Sequence, residues 1–276
     1  MKKLIKGLRE FKTSYFPTHQ ELFEQLSHSQ KPRVLFITCS DSRVDPNLIT
    51  QADLGELFVI RNAGNIIPPF GATNGGEGAT IEYAVQALDI RQIIICGHSH
   101  CGAMKGLMKL NSLQEEMPLV HDWLKYAEAT RRLVLDHYSQ YQGEELLEIM
   151  IAENVLTQIE NLRTYPVIHS KLYQGQLSIY AWIYHIETGE VLAYDPHKHA
   201  YVFPQSQILE TEETERDEML LEKFPACNLE IYSAKTRQKE VEPLEKIATT
   251  AHERFPMTPL SPEQIERIYR GSTHLD

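Results

Sequence analysis

Cysteine and tryptophan are scarce in this chain of 276 residues, with only four of the first and two of the second. By count alone the four cysteines (Cys39, Cys96, Cys101 and Cys227) could pair as two disulfides. No apolar run approaches the roughly 20 residues that span a bilayer. The opening MKKLIKGLREFKTSYF carries lysines but lacks the unbroken apolar stretch of a secretory signal, so a reducing, cytoplasmic setting is expected, with cysteines in metal or catalytic roles. A surplus of positive charge is also missing. Lys and Arg number 27 against 38 Asp and Glu, for a net charge of −11. Such a chain repels phosphate backbones at long range, which excludes nucleic acid as a natural partner. No repeat of fixed period occurs.

What is present is a globular composition, 42% hydrophobic and 24% charged. Leu4, Ile5, Leu8 and Phe11 fall at helical spacing, which predicts an amphipathic N-terminal arm over residues 1–28. RVLFITC, ELFVIRN and QIIICGH are short, apolar, β-branched runs. Asp45 before Pro46 predicts a capped helix between the first two, and a helix is expected from about Gly76 to Leu88 before the third. Runs that are apolar throughout and alternate with helices imply a parallel sheet covered on both faces. A mainly helical stretch follows from Gly102 to Tyr173. LSIYAWIYHI then leads through Glu187-Thr-Gly-Glu190 to VLAYD, a hairpin signal. The expected fold is therefore α/β: a mostly parallel central sheet of four strands plus one antiparallel edge strand, flanked by helices, with an N-terminal helical arm and a C-terminal extension. The catalytic unit is placed at 29–204, an acidic extension at 205–260 and a terminal peptide at 261–276.

CSDSR at Cys39–Arg43 and GHSHCG at Gly97–Gly102 each close a predicted parallel strand. The carboxyl ends of strands are where open α/β sheets collect functional groups. Two thiolates, Cys39 and Cys101, with the imidazole of His98 suit zinc, and three protein ligands leave one position free for chemistry. The spacing matches no zinc finger or ribbon. Cys39 or Cys101 alone would read as a buried core thiol, and Asp41 with Arg43 alone as a surface ion pair. Their joint placement makes the metal reading the stronger one. Cys96, in mid-strand, reads as buried and inert, and Cys227, in the extension, as incidental. GGEGAT and GHSHCGAM lack the spacing or the ending of nucleotide-binding loops.

CSDSRVDP, FVIRNAGN, GGEGATIEYAV and CGHSHCGAM together resemble the β-carbonic anhydrase family across about residues 30–195. The resemblance implies reversible hydration of carbon dioxide to bicarbonate, with one Zn²⁺ per chain on Cys39, His98 and Cys101 and a catalytic dyad of Asp41 and Arg43. It also implies that Gln30 binds bicarbonate and that Phe58, Ala63 and Tyr83 line a small apolar substrate pocket, partly across a dimer interface. The basic unit would be a dimer that builds larger homo-oligomers. Two other readings share the motifs: a zinc hydrolase of a CO2-like substrate, and a non-catalytic carboxysome scaffold component. The second would be favoured by loss of Asp41 or Arg43, and both are present.

The end of the chain, SPEQIERIYRGS, with the long extension and the N-terminal arm, is similar to the carboxysomal members of that family in cyanobacteria. This implies a place within the carboxysome, beside Rubisco, reached through a carboxysome scaffold protein. The residues themselves predict a short helix. Ser261 is an N-cap, Pro262 fits the first turn, Gln264 completes a capping box and Gly271 a C-cap. Ile265, Ile268 and Tyr269 share one face, flanked by Arg267 and Arg270.

Overall fold

The computed structural model describes residues 1–73 and 75–204. Cys227, the 205–260 extension and the peptide at 261–276 lie outside the described residues. The arm runs through α1 (Lys2–Glu10), a π-helical stretch (Phe11–Tyr15), α2 (Phe16–Thr18) and α3 (Gln20–His28). Its apolar residues are where the helical spacing placed them, and Leu4 and Leu8 point to solvent.

A six-stranded sheet follows in the order β2-β1-β3-β4-β5-β6, from β1 (Val34–Cys39), β2 (Leu57–Asn62), β3 (Gln92–His98), β4 (Ser178–Tyr184), β5 (Val191–Asp195) and β6 (Ala200–Val202). The first four are mutually parallel, whereas β5 pairs antiparallel to β4 and β6 antiparallel to β5. The expected edge strand is thus one of two. β6 has only three residues, too few for a sequence pattern, and it depends on the turn before it. Asp195 accepts hydrogen bonds there from the backbone N–H groups of His197 and Lys198, and His199 adopts a positive φ of 48°.

The connecting helices are α4 (Pro46–Thr50), α5 (Gly76–Gln86), α6 (Gly102–Met108), α7 (Leu113–Glu116), α8 (Pro118–Leu124), α9 (Glu128–His137), α10 (Gly143–Arg163) and α11 (Pro166–Tyr173). Asp45 caps α4 as its position predicts, accepting from Leu48 N–H at 3.2 Å. The main core lies on one face of the sheet, where Leu35, Ile37, Ile93, Ile95 and Ile179 meet Ile151, Val155 and Ile159 of α10. Each such side chain, fully buried, stabilises the fold by about 1.5–3 kcal/mol. Strand alternation sends Phe36, Ile94, Cys96 and Tyr180 to the opposite face, where they form a second apolar cluster.

One glycine sets how closely α10 approaches. A Cβ at Gly97 would lie 2.8 Å from Val155 Cγ2 and 3.1 Å from Ile151 Cγ2. The glycine just before His98 thus lets the buried helix lie directly against the strand end that carries the site. Among the described residues no helix is long and apolar enough to cross a membrane.

Candidate metal centre

Neighbouring parallel strands end on the same side, so the register of β1 on β3, with Thr38 beside Cys96, brings Cys39 and His98 together at one sheet end. Cys101 follows three residues later as the N-cap of α6. The turn between them requires His100 at a φ of +55°, a left-handed conformation that histidine tolerates better than most residues. One ligand atom from each of Cys39, His98 and Cys101 lies within 4.8 Å of the others, and all three residues are buried.

The imidazole shows what this cluster is built to hold. His98 Nδ1 is 2.9 Å from the Ser99 carbonyl, an acceptor, so the ring proton sits on Nδ1. Nε2, the nitrogen that carries the lone pair in the neutral ring, is fully buried and has no hydrogen-bond partner. An orphaned acceptor facing two sulfurs costs about 1–3 kcal/mol unless something electrophilic satisfies it. A soft or borderline cation does that, and two sulfurs with one imidazole form a donor set for zinc. The two thiols are coupled. Cys39 is drawn down to about 4, first by its hydrogen bond with Cys101 and against burial, with help from His98 and from the backbone N–H groups of Gly64 and Asp41. Cys101 is pushed up by the same shared proton and by burial. A cation would release the proton that the pair retains. Cys96 is a different case. Burial pushes its thiol up to about 12, which fits the inert role expected of it.

Asp41 stands at the edge of the cluster, with Oδ2 4.0 Å from His98 Nε2. Arg43 clamps it from two sides, Nε donating to Oδ1 at 2.9 Å and Nη2 to Oδ2 at 2.8 Å, with the Arg43 backbone N–H adding a third bond at 3.0 Å. That clamp holds the carboxyl well below the usual carboxylate range. The expected dyad is therefore assembled beside the expected ligands.

The proposed pocket residues are distributed differently. Ala63 is near the cluster through its neighbour, since Gly64 N–H donates to Cys39 Sγ at 3.4 Å. Gln30 is exposed in the loop after α3. Phe58 pairs with Leu35, four residues before Cys39 and so about 13 Å away along the strand. Tyr83 on α5 packs against Phe58, with ring centroids 6.1 Å apart, and is half exposed. Phe58 and Tyr83 form a pair at the far end of β2, away from this chain's own cluster.

Several residues that build the centre carry no motif. Arg61 donates to the carbonyls of Cys39 and Asp41 at 3.1 and 2.7 Å, pinning both ends of the Cys-Ser-Asp turn. The loop after β2 is held from α10: Asn154 Nδ2 donates to Gly64 C=O at 3.0 Å, Ile67 N–H donates to Gln158 Oε1 at 2.8 Å, and Gln158 Nε2 donates to Asn154 Oδ1 at 2.9 Å. Gly64 must be glycine: its φ is +82°, and a Cβ would lie 2.8 Å from Met104 Cε. The available signal was Asn154 and Gln158 themselves, amide side chains one turn apart among the buried residues of α10.

A buried donor set of two sulfurs and a nitrogen, with an ionised aspartate at its edge, belongs to a class: metal-dependent enzymes of the open α/β type. Comparison with known proteins narrows it. Residues 34–191 match the carbonic anhydrase family. A carbonic anhydrase of Synechocystis sp. is 60% identical over 279 residues, covering 99% of this chain and 100% of the relative. One from Synechococcus elongatus is 70% identical over 192 residues, covering 70% of this chain and 71% of the relative. A solved structure of the β-carbonic anhydrase CcaA superposes with a TM-score of 0.73 at 69% identity, over 74% of this chain and 99% of that one. The chain belongs to the β-carbonic anhydrase family and is an enzyme of that family.

Proposed function

We propose that Cys39, His98 and Cys101 hold one zinc ion per chain and that Asp41 directs the hydration of carbon dioxide beside it. The observation that carries this reading is His98 Nε2, buried and without a hydrogen-bond partner, in a cluster with the sulfurs of Cys39 and Cys101. When bound, zinc supplies the Lewis acidity that makes water a nucleophile at neutral pH.

The chain's own groups do the rest. Asp41, kept ionised by Arg43, retains acceptor capacity after taking Arg43's donors, because each carboxylate oxygen has two lone pairs. It accepts a hydrogen bond from the attacking oxygen and so turns that oxygen's lone pair toward the carbon of CO2. Protonated, Asp41 would be a donor and lose this role, which is why the Arg43 clamp matters. Gln30 and Ala63 are proposed to bind bicarbonate and line the pocket. Phe58 and Tyr83, distant from their own cluster, would serve the site of a second copy in a dimer that builds larger oligomers. A β-carbonic anhydrase of Sordaria macrospora, with 25% identity and a TM-score of 0.61 over 69% of this chain and 94% of that one, is described as tetrameric.

The proposed setting is the carboxysome, reached through a scaffold protein that binds Ile265, Arg267, Ile268, Tyr269 and Arg270. Support comes from the sequence resemblance of that peptide, with the extension and the N-terminal arm, to the carboxysomal members of the family.

Metal analysis of the parent protein should give one zinc per chain, and Cys101→Ala should lose both zinc and CO2 hydration. Full zinc in that variant removes the ligand assignment.

A further inference from the structure

Glu187 lies on the turn between β4 and β5, 86 to 89 residues from the cluster's His98–Cys101 loop in sequence, and none of its contacts is a metal-binding atom. It nonetheless grips that loop on both sides. Its Oε2 accepts from Ser99 Oγ at 2.6 Å, a short, charge-assisted bond, and its Oε1 is 3.5 Å from His100 Nε2. Ser99 Oγ in turn accepts from Ile186 N–H at 3.0 Å, and Ser99 N–H donates to Tyr184 C=O at 2.9 Å. Ser99 is 3% exposed, so water does not compete for these groups. The remaining polar atom of Ser99, its carbonyl oxygen, is the acceptor that ties down His98 Nδ1.

We propose that Glu187 is a positioning residue for the metal site, acting through Ser99 to fix the carbonyl that sets the tautomer and ring orientation of His98. An imidazole ligand delivers Nε2 only while its other nitrogen is held by an acceptor in a fixed place. The acceptor here is a backbone carbonyl, and a backbone carbonyl moves with its residue. The hairpin clamps that residue through three bonds, of which Glu187 supplies the charged one and the only one made by a side chain outside the loop. Without it, Ser99 keeps only its bonds to the backbone groups of Ile186 and Tyr184, its hydroxyl proton loses its acceptor, and the ring of His98 gains freedom to turn. This inference rests on reading Cys39, His98 and Cys101 as zinc ligands.

Glu187 is partly exposed, so its substitution leaves the core intact. Full-length parent, Glu187→Ala and Glu187→Gln are stripped of metal and titrated with Zn²⁺ against a chromophoric chelator. Co²⁺ spectra and melts of the metal-free proteins are recorded in parallel. Glu187→Ala should bind Zn²⁺ about 10-fold more weakly, as loss of an outer-shell partner of a metal-bound histidine does, and should shift the Co²⁺ ligand-field bands. Glu187→Gln retains an acceptor for Ser99 Oγ and should restore both affinity and spectrum. Parent-like affinity and spectrum in Glu187→Ala, or equal losses in Glu187→Ala and Glu187→Gln, overturn the proposal. A lower metal-free melting temperature in Glu187→Ala with unchanged Zn²⁺ affinity also overturns it, since Glu187 would then be only a stitch in the hairpin. Failure of the parent to bind Zn²⁺ would instead defeat the zinc reading itself.

Discussion

Asp41 shows how one side chain takes its chemistry from a neighbour. An exposed aspartate two residues from an arginine contributes little as an ion pair. Here the bidentate clamp and the backbone N–H of Arg43 fix both the charge and the orientation of the carboxylate. Its depressed pKa means that Asp41 stays ionised as pH falls through the ordinary carboxylate range, so it should contribute no limb to the activity profile above that range. Asp41→Asn preserves shape but places an NH2 donor or a neutral oxygen where an anionic acceptor stood. Zinc content should remain at the parent level while stopped-flow hydration falls on the order of 100-fold. A rate close to the parent would show that orientation of the nucleophile does not depend on this carboxylate.

At the scale of elements, α10 is the piece that joins core and site. Its 21 residues pack against β3 and carry Asn154 and Gln158, which hold the loop of Gly64 and hence the N–H on Cys39. The same helix buries Glu153, whose Oε1 accepts from Tyr138 Oη at 2.9 Å. Burial raises this carboxyl to about 7, and the Tyr138 bond only partly opposes it. In the unfolded chain the group ionises near its ordinary value of 4.5. Between those two values the folded state holds a proton that the unfolded state has lost, so stability falls as pH rises through that window and levels off above it. The effect is at most on the order of 3 kcal/mol. Glu153→Gln keeps an acceptor for Tyr138 and removes the titration. Its melting temperature should decline less than the parent's between pH 5 and pH 8, and an identical decline in both proteins would assign the pH dependence elsewhere.

At the scale of the whole molecule, the arm presents an apolar stripe that no element covers among the described residues. Leu4 is 65% and Leu8 69% exposed, one turn apart, and Phe11 and Tyr15 continue the line. Near the base of the arm, Phe16, Phe23 and Leu26 border an open cleft of about 580 Å³ with Leu54. Surfaces of this kind mark association sites. A protein lacking residues 1–15 should dissociate to a smaller species by light scattering and lose activity if Phe58 and Tyr83 serve a partner's site. An unchanged, active oligomer would place the arm outside the assembly. The other end is tested separately. Deletion of residues 261–276 should leave hydration and melting temperature near the parent while abolishing recruitment to carboxysomes. Continued recruitment would remove the docking role from that peptide.

The sequence alone determined whatever depends on local chemistry. Apolar β-branched runs marked the four parallel strands and the hairpin strand after them, Asp45 and Pro46 marked a helix start, and two short motifs at strand ends supplied the three clustered donors Cys39, His98 and Cys101 and the Asp41–Arg43 pair. These features are legible because periodicity, caps and donor types act within a few residues. Tertiary structure decided what depends on contacts between distant segments. Strand register alone separated Phe58 from Cys39, and burial alone left His98 Nε2 without a partner. The grips of Asn154 on Gly64 and of Glu187 on Ser99 span 90 and 88 residues and follow no spacing rule. A buried polar group must find its partner wherever the packed chain brings one, and that place is set by the whole fold rather than by neighbours in sequence.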